Sequence, residues 1–297
     1  MDVLVATHAG ESWSDQDDHV LVAALRHRGM TADVAAWDDP TVDWAAAGMV
    51  TLRSTWGYAD HLEAFLDWAD RVEAHTLLTN SAEVVRWNVR KDYLLTMEER
   101  GAPIVPTAWL GRGDRVDLAD VLAEHGWADA IVKPVVGAGA IGLIHTARLS
   151  HDQAQDHLDG LLAVGDVMVQ PFQSKVMTEG ELSVILIDGE VTHAVRKLPA
   201  QGDIRVQLEY GGRYVRDEGD AQALALARWI VQATGHDLLY ARVDLIAADD
   251  GAWQVGELEL TEPSLYLTVV PEAAHTMAAA IELRLRHRPN QGDAAQD

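Results

Sequence analysis

The segment from Tyr240 to Ser264, YARVDLIAADDGAWQVGELELTEPS, concentrates charged side chains at strand spacing. Asp250-Gly251 between two alternating apolar runs is a strong cue for a two-residue hairpin turn. With those residues as the turn, Asp249 pairs with Ala252, Asp244 faces Glu257 and Arg242 faces Glu259. Period-two alternation puts all four of the latter on one face, and Val243, Leu245, Leu258 and Leu260 on the other, toward a core. Opposed carboxylates repel unless a cation lies between them. Asp244, Glu257 and Glu259, with no His or Cys among them, make a hard oxygen site suited to Mg2+ or Mn2+. The competing reading is a solvated outer face on an acidic protein. On repulsion alone, Glu257→Gln is expected to abolish turnover while leaving the metal-free protein no less stable.

A second candidate lies upstream. Val135 to Leu143 reads VVGAGAIGL, so Gly137, Gly139 and Gly142 satisfy G-x-G-x-x-G. A dinucleotide site needs a strand before this pattern, a helix starting inside it and an acid about 20 residues on. Here the continuation LIHTARL is β-like, the helix signal waits until Ser150, and Asp159 is the nearest acid. A glycine loop between two strands is a hairpin flap, able to lay backbone N–H groups over phosphates. A plain tight turn is the alternative. Lys133, in the apolar strand IVKP just before the loop, favours the flap, because a buried cation must be paired and a phosphate would pair it. A snorkelling edge-strand lysine is the competing reading.

The same pairing arithmetic, with Asp188-Gly189 as the turn, sets Glu181 opposite Arg196. In GDIRVQLEYGG, Arg205 on an extended segment can clamp a carboxylate, or be an ordinary surface arginine. Arg53, Ser54, Thr55, Trp56 and Tyr58 follow the apolar strand GMVTL and offer a cation, hydroxyls and aromatics to a small zwitterion. Otherwise those aromatics pack on the neighbouring helix. The thirteen histidines show no metal-ligand spacing, and Asp15 to Asp18 suit a helix start better than a metal.

Positioning these groups requires a chain of several layers. The 297 residues suffice for two or three subdomains. A net charge of −24 makes nucleic acid and anionic membrane poor partners. The absence of Cys removes disulfides, zinc fingers and thiol nucleophiles. MDVLVATHAG lacks the features of a signal peptide and no apolar run approaches bilayer length, which fits a cytoplasmic protein. Only four basic residues are lysine: Lys91, Lys133, Lys175 and Lys197. Strand–helix alternation over the first third predicts an open α/β layer. One helical stretch follows from Val84 to Arg100, ended by Gly101, then a strand-rich middle, a helix from Asp220 to Thr234, the acidic hairpin and a closing helix from Pro271 to His287. The fold class is mixed α/β. The expected divisions are residues 1–101, 102–170 and 171–288, with 289–297 as a disordered tail.

This order of parts resembles the ATP-grasp ligases of the glutathione synthetase and RimK-like group. The resemblance implies an N-terminal pre-ATP-grasp layer, a glycine-flap subdomain and a C-terminal antiparallel sheet. It gives Lys91 and Lys133 as ATP-phosphate lysines, Gly137, Ala138 and Gly139 as the flap, Gln170, Pro171 and Phe172 as the adenine hinge, and Glu181 as a ribose-side acid. It assigns Asp244, Glu257 and Glu259 to magnesium, two ions in all, with Arg196, Arg205 and Arg242 holding the transferred phosphoryl and substrate carboxylate. Glu259 stands where the family usually has Asn, and Ser183 where glutathione synthetase has a basic residue. The blocks LRSTWGYADHLEAFLDW, RWNVRKDYLL, HAVRKLPAQGDIRVQLEYGG and ELELTEPSLYL are similar to the D-cycloserine-forming subgroup. That similarity implies ATP-dependent ring closure of O-ureido-D-serine by a homodimer acting on a small zwitterion. The alternatives are a two-substrate peptide-type ligase and, further off, an NAD-dependent oxidoreductase or a non-catalytic nucleotide-binding protein.

Overall fold

The computed structural model describes residues 1–10, 16–137 and 139–287. Asp15, the flap residue Ala138 and the tail 289–297 lie outside the described residues. The chain opens with β1 (Val3–Thr7), α1 (Gln16–His27), β2 (Ala32–Ala36), β3 (Met49–Leu52), α2 (Leu62–Glu73) and β4 (Leu77–Thr79). These strands form a parallel sheet ordered β2-β1-β3-β4, the expected open layer. The single helix expected from Val84 to Arg100 is instead two, α3 (Ala82–Asn88) and α4 (Tyr93–Glu99), with Lys91 in the break. Gly101, at φ +96°, ends the second.

Next come β5 (Ala108–Leu110), α5 (Leu118–His125), β6 (Ala130–Pro134), β7 (Ile144–His145), α6 (His151–Val164) and β8 (Val167–Pro171). They make an antiparallel sheet, β5-β8-β6-β7, backed by α5 and α6. The β-like continuation LIHTARL forms a strand of only two residues before a 3-10 turn at Thr146–Arg148. Ser150 starts α6 in a capping box with Gln153.

The chain then leaves this sheet and builds α7 (Val176–Glu179), β9 (Glu181–Ile187), β10 (Glu190–Leu198), β11 (Arg213–Asp217), α8 (Ala221–Thr234), β12 (Tyr240–Ala247), β13 (Trp253–Glu259) and α9 (Glu272–Arg286). The strands form one antiparallel sheet, β11-β10-β9-β12-β13. Asp220 caps α8 through the Gln222 and Ala223 amides, and Gly235 ends it. The segment from Arg205 to Tyr210, expected to be extended, is irregular and ends in a 3-10 turn at Leu208–Tyr210.

One face of this sheet packs on α8 through Leu182, Val184, Val243 and Leu245. The other shares a core with the N-terminal layer and α9, where Val3, Leu21, Ile185, Val195, Tyr240 and Met277 meet. Burying each such large apolar side chain contributes about 1.5–3 kcal/mol, so the two sheets hold each other. The expected boundary at Gly101 therefore does not separate two cores: Ala82 and Val85 pack on the first layer, while Tyr93, Leu94 and Met97 pack beneath the C-terminal sheet.

Candidate active site

The acidic hairpin has the expected facing. Asp244 pairs with Glu257 and Arg242 with Glu259. Its turn, however, is one residue longer than expected. Ala248 rather than Asp249 lies opposite Ala252, with Gly251 at φ +88° behind a Gly251 N–H to Ala248 C=O bond. That is a type I turn closed by a left-handed glycine. A bulge at Gly256 then restores the register before the carboxylates. The outer strand is anchored from α3 and α4: the Leu258 amide donates to the Tyr93 hydroxyl at 2.9 Å, and Asn88 bonds both Leu258 C=O and the Leu260 amide.

One carboxylate oxygen from each of Asp244, Glu257 and Glu259 lies within 4.8 Å of the others. Asp244 is buried and fully engaged. It accepts from Ser183 Oγ at 2.6 Å and Lys197 Nζ at 3.0 Å, and from both Nε and Nη2 of Arg242, one edge of the guanidinium, at 3.0 Å each. Arg242 also pairs with Glu259. Burial pushes the Asp244 acid up, but Arg242 and Lys197 outweigh it and hold the group well below the carboxylate range. Glu257 is likewise raised by burial and lowered further by Lys91 and Lys133, to about 2. Glu259 moves the other way: burial dominates and lifts it to about 7, with Arg242 opposing. The donor set is oxygen only, and the protein's own cations sit on it, Arg242 on two carboxylates and Lys91 on Glu257. This is the environment of a hard divalent ion.

Lys91, half-buried in the break between α3 and α4, lies 3.1 Å from Glu257 and donates to the Gly137 carbonyl at 2.6 Å. The glycine loop joins β6 to β7 as an antiparallel hairpin, with Gly139, Ala140 and Gly142 all at positive φ. No helix starts in it; α6 begins only at His151, which removes the dinucleotide reading. Lys133, on β6, is the one lysine without an ion pair or hydrogen bond among the described residues. Burial lowers its pKa, with Glu257 pulling the other way. Unpaired and half-buried, it is a cation set to meet an anion.

Lys133 lines a cavity of about 120 Å3 together with Gln170, Pro171, Phe172, Glu181 and Arg205. Sites for small molecules usually measure roughly 300–1,000 Å3, so a nucleotide must displace the flap or the 204–207 segment on entry. Gln170 and Pro171 end β8, where the chain crosses between sheets, and Phe172 stacks on His145 at 4.0 Å. Arg205 is held by Asp203 at 2.8 Å and lies over the Tyr210 ring at 3.6 Å.

Arg196 is not in this cluster. A bulge at Thr192, whose hydroxyl donates to Ile185 C=O at 3.2 Å, shifts β10 by one residue, so Glu181 pairs with Lys197. Arg196 therefore points to the opposite face, 2.8 Å from Asp217 and beside Trp253. Lys197, buried between Glu181 and Asp244, takes the inward place. Burial and the nearby Asp244 lift Glu181 to about 7, against the pull of Lys197.

The segment 53–58 is more deeply built in than its sequence suggests. Arg53 is 1% exposed and donates to Pro263 C=O at 2.6 Å, while its Nε and Nη1 have no hydrogen-bond partner. Ser54 bonds Asp18, and the buried Thr55 hydroxyl is unpartnered. Tyr58 stacks on Phe65 of α2 at 4.9 Å, the packing alternative.

Against known proteins, residues 3–80 match the D-cycloserine synthetase DcsG N-terminal domain and residues 103–264 the prokaryotic glutathione synthetase ATP-grasp domain. The cycloserine biosynthesis protein DcsG of Streptomyces lavendulae is 34% identical over 285 residues, covering 92% of this chain and 95% of that protein. The chain belongs to the DcsG family of ATP-grasp ligases. The crystal structure of D-cycloserine synthetase DcsG superposes with a TM-score of 0.86 at 32% identity, covering 96% of this chain and all of the other. Glutathione synthetase of Agrobacterium fabrum is 25% identical over 260 residues, covering 85% of this chain and 76% of that enzyme. The chain is thus an ATP- and Mg2+-dependent enzyme forming a C–N bond. No helix among the described residues is long and apolar enough to cross a membrane.

Two inward residues escaped the sequence reading. Lys197 was marked only by the scarcity of lysine, and the Thr192 bulge hid its facing. Glu262 stands three residues past the last expected ligand, just before Pro263.

Proposed function

We propose that this enzyme closes the isoxazolidinone ring of D-cycloserine from O-ureido-D-serine, using MgATP to activate the carboxylate. The observation that carries the reading is the near-full-length similarity to the cycloserine biosynthesis protein, which includes the N-terminal layer as well as the ATP-grasp part. Lys91 and Lys133 meet the triphosphate beneath the flap. Asp244, Glu257 and Glu259 hold Mg2+, or Mn2+ in its place, as two ions that neutralise charge on the phosphates. Glu181, Gln170, Pro171 and Phe172 take the nucleoside, with Gly137 and Gly139 of the glycine loop over it. Arg242 is placed to steady the transferred phosphoryl group and Arg205 the substrate.

A carboxylate oxygen attacks the γ-phosphorus to give an acyl phosphate and ADP. The oxygen-bound ureido nitrogen then attacks the acyl carbon, a C–N bond forms, and phosphate leaves. Holding both ends of one small molecule makes this step effectively unimolecular. The carbamoyl group, absent from D-cycloserine, leaves as carbon dioxide and ammonia after uptake of one water. A homodimeric cytoplasmic protein is part of the same reading.

The second reading, a two-substrate ligase of the glutathione synthetase type, is supported by the match over residues 103–264. Stoichiometry separates them. With MgATP and O-ureido-D-serine alone, the expected result is phosphate release matched by a cyclic product. Phosphate that appears only when a second amine is added would support the two-substrate ligase instead.

A further inference from the structure

We propose that Glu262 receives the ammonium group of the substrate. The inference deepens the proposed function and rests on it. Glu262 is only 9% exposed, yet among the described residues no Lys, Arg or His lies within ion-pair distance of it. Its nearest cations are committed elsewhere: Lys91 to Glu257, and Arg242 to Asp244 and Glu259. A buried carboxylate without a cation is costly unless a ligand supplies one.

The surrounding structure holds Glu262 in place. Trp56 Nε1 donates to the Glu262 carbonyl at 3.2 Å, Arg53 Nη2 to Pro263 C=O at 2.6 Å and Arg242 Nη1 to Ser264 C=O at 3.2 Å. Three side chains thus grip the backbone on which the carboxylate stands. Trp56 comes from the N-terminal layer, and Glu262 from beyond the acidic hairpin. They meet at the seam between the layers.

The position suits the chemistry. An α-amino acid carries its ammonium one carbon from the carboxyl group being activated, so an ammonium site must border the metal cluster. Glu262 does: it stands three residues past Glu259, and Arg242, the ion-pair partner of Glu259, also donates to the Ser264 carbonyl two residues beyond Glu262 at 3.2 Å. Glu262 nevertheless lies outside the set of carboxylates close enough to share an ion.

The test titrates two compounds into enzyme saturated with Mg2+ and a non-hydrolysable ATP analogue: O-ureido-D-serine and its counterpart lacking the amino group, 3-(ureidooxy)propanoate. A charged hydrogen bond predicts that the parent prefers the amino compound by about 10–100-fold. Glu262→Gln, nearly isosteric, should reduce that preference to about 3-fold or less while nucleotide affinity and Tm hold. Should that variant fail to fold, Glu262→Asp, which withdraws the charge by one methylene, must weaken the amino compound about 5-fold or more and spare the other. Equal binding of both compounds by the parent, or an undiminished preference in the variant, would overturn the assignment of Glu262 alone. Binding of neither by the nucleotide-loaded parent would overturn the functional reading itself, and this inference with it.

Discussion

Replacing Glu257 by Gln separates two physical accounts of the acidic cluster. Repulsion between opposed carboxylates predicts relief of strain, whereas the structure makes Glu257 the partner of Lys91 at 3.1 Å. Its acid is held at about 2 against an ordinary 4.5; burial works against this shift, and Lys91 and Lys133 outweigh it. That depression of roughly 2.5 units corresponds to about 3 kcal/mol favouring the charged form. With the side chain 26% exposed, solvent screening reduces the expected cost to about 1–2 kcal/mol. For a chain of this size that lowers Tm by roughly 2–6 °C. Because the folded-state pKa is depressed, the contribution is present above the unfolded value and is lost as pH falls through the folded one. The deficit should therefore be full at pH 7 and shrink between about pH 4.5 and 2. Differential scanning fluorimetry in EDTA measures it, and ADP release should fall by at least about 100-fold in the same variant. A metal-free variant melting at or above the parent at pH 7 would refute the ion-pair account and restore the repulsive one.

Two other perturbations follow from the same site. Lys133→Met removes a half-buried cation with no protein partner, so metal-free Tm should hold or rise while MgATP affinity, read by calorimetry, drops about 10–100-fold; unchanged affinity would place the phosphates elsewhere. Glu181 and Glu259 are both raised by burial to about 7, so their contribution to stability is present below pH 4.5 and lost as pH rises through 7. Tm in EDTA should accordingly fall between about pH 4.5 and 7, and saturating Mg2+ should flatten or reverse the slope. A flat profile in EDTA would contradict it.

How far the site was legible depended on what each residue's facing rests on. The hairpin facing came out right through two offsetting features. The turn holds one residue more than Asp250-Gly251 implies, and Gly256 bulges to compensate. Alternation alone cannot see a bulge, because one extra residue swaps the faces of everything beyond it. On β10 no second bulge compensates for Thr192, so Arg196 was read inward and Lys197 passed over. The helix break carrying Lys91 was invisible for a related reason. Residues 84–100 keep helical composition throughout, and only packing of Tyr93 and Met97 beneath the C-terminal sheet redirects the chain. The flap was readable from local chemistry, since a glycine loop followed by β-like residues has no helix to start. Arg53 and Glu262 owe their burial to the meeting of two layers far apart in sequence, which no local pattern encodes.

Carboxyl activation by phosphorylation is most directly tested by isotope transfer. O-ureido-D-serine labelled with 18O in both carboxylate oxygens is incubated with enzyme and MgATP, and the released phosphate is analysed by mass spectrometry. The oxygen that bridges carbon and phosphorus in the acyl phosphate departs with phosphate when the C–N bond forms. The expected result is one 18O in each phosphate released, in step with formation of the cyclic product. Unlabelled phosphate accompanying that product would show that the carboxylate was never phosphorylated, and would contradict the account.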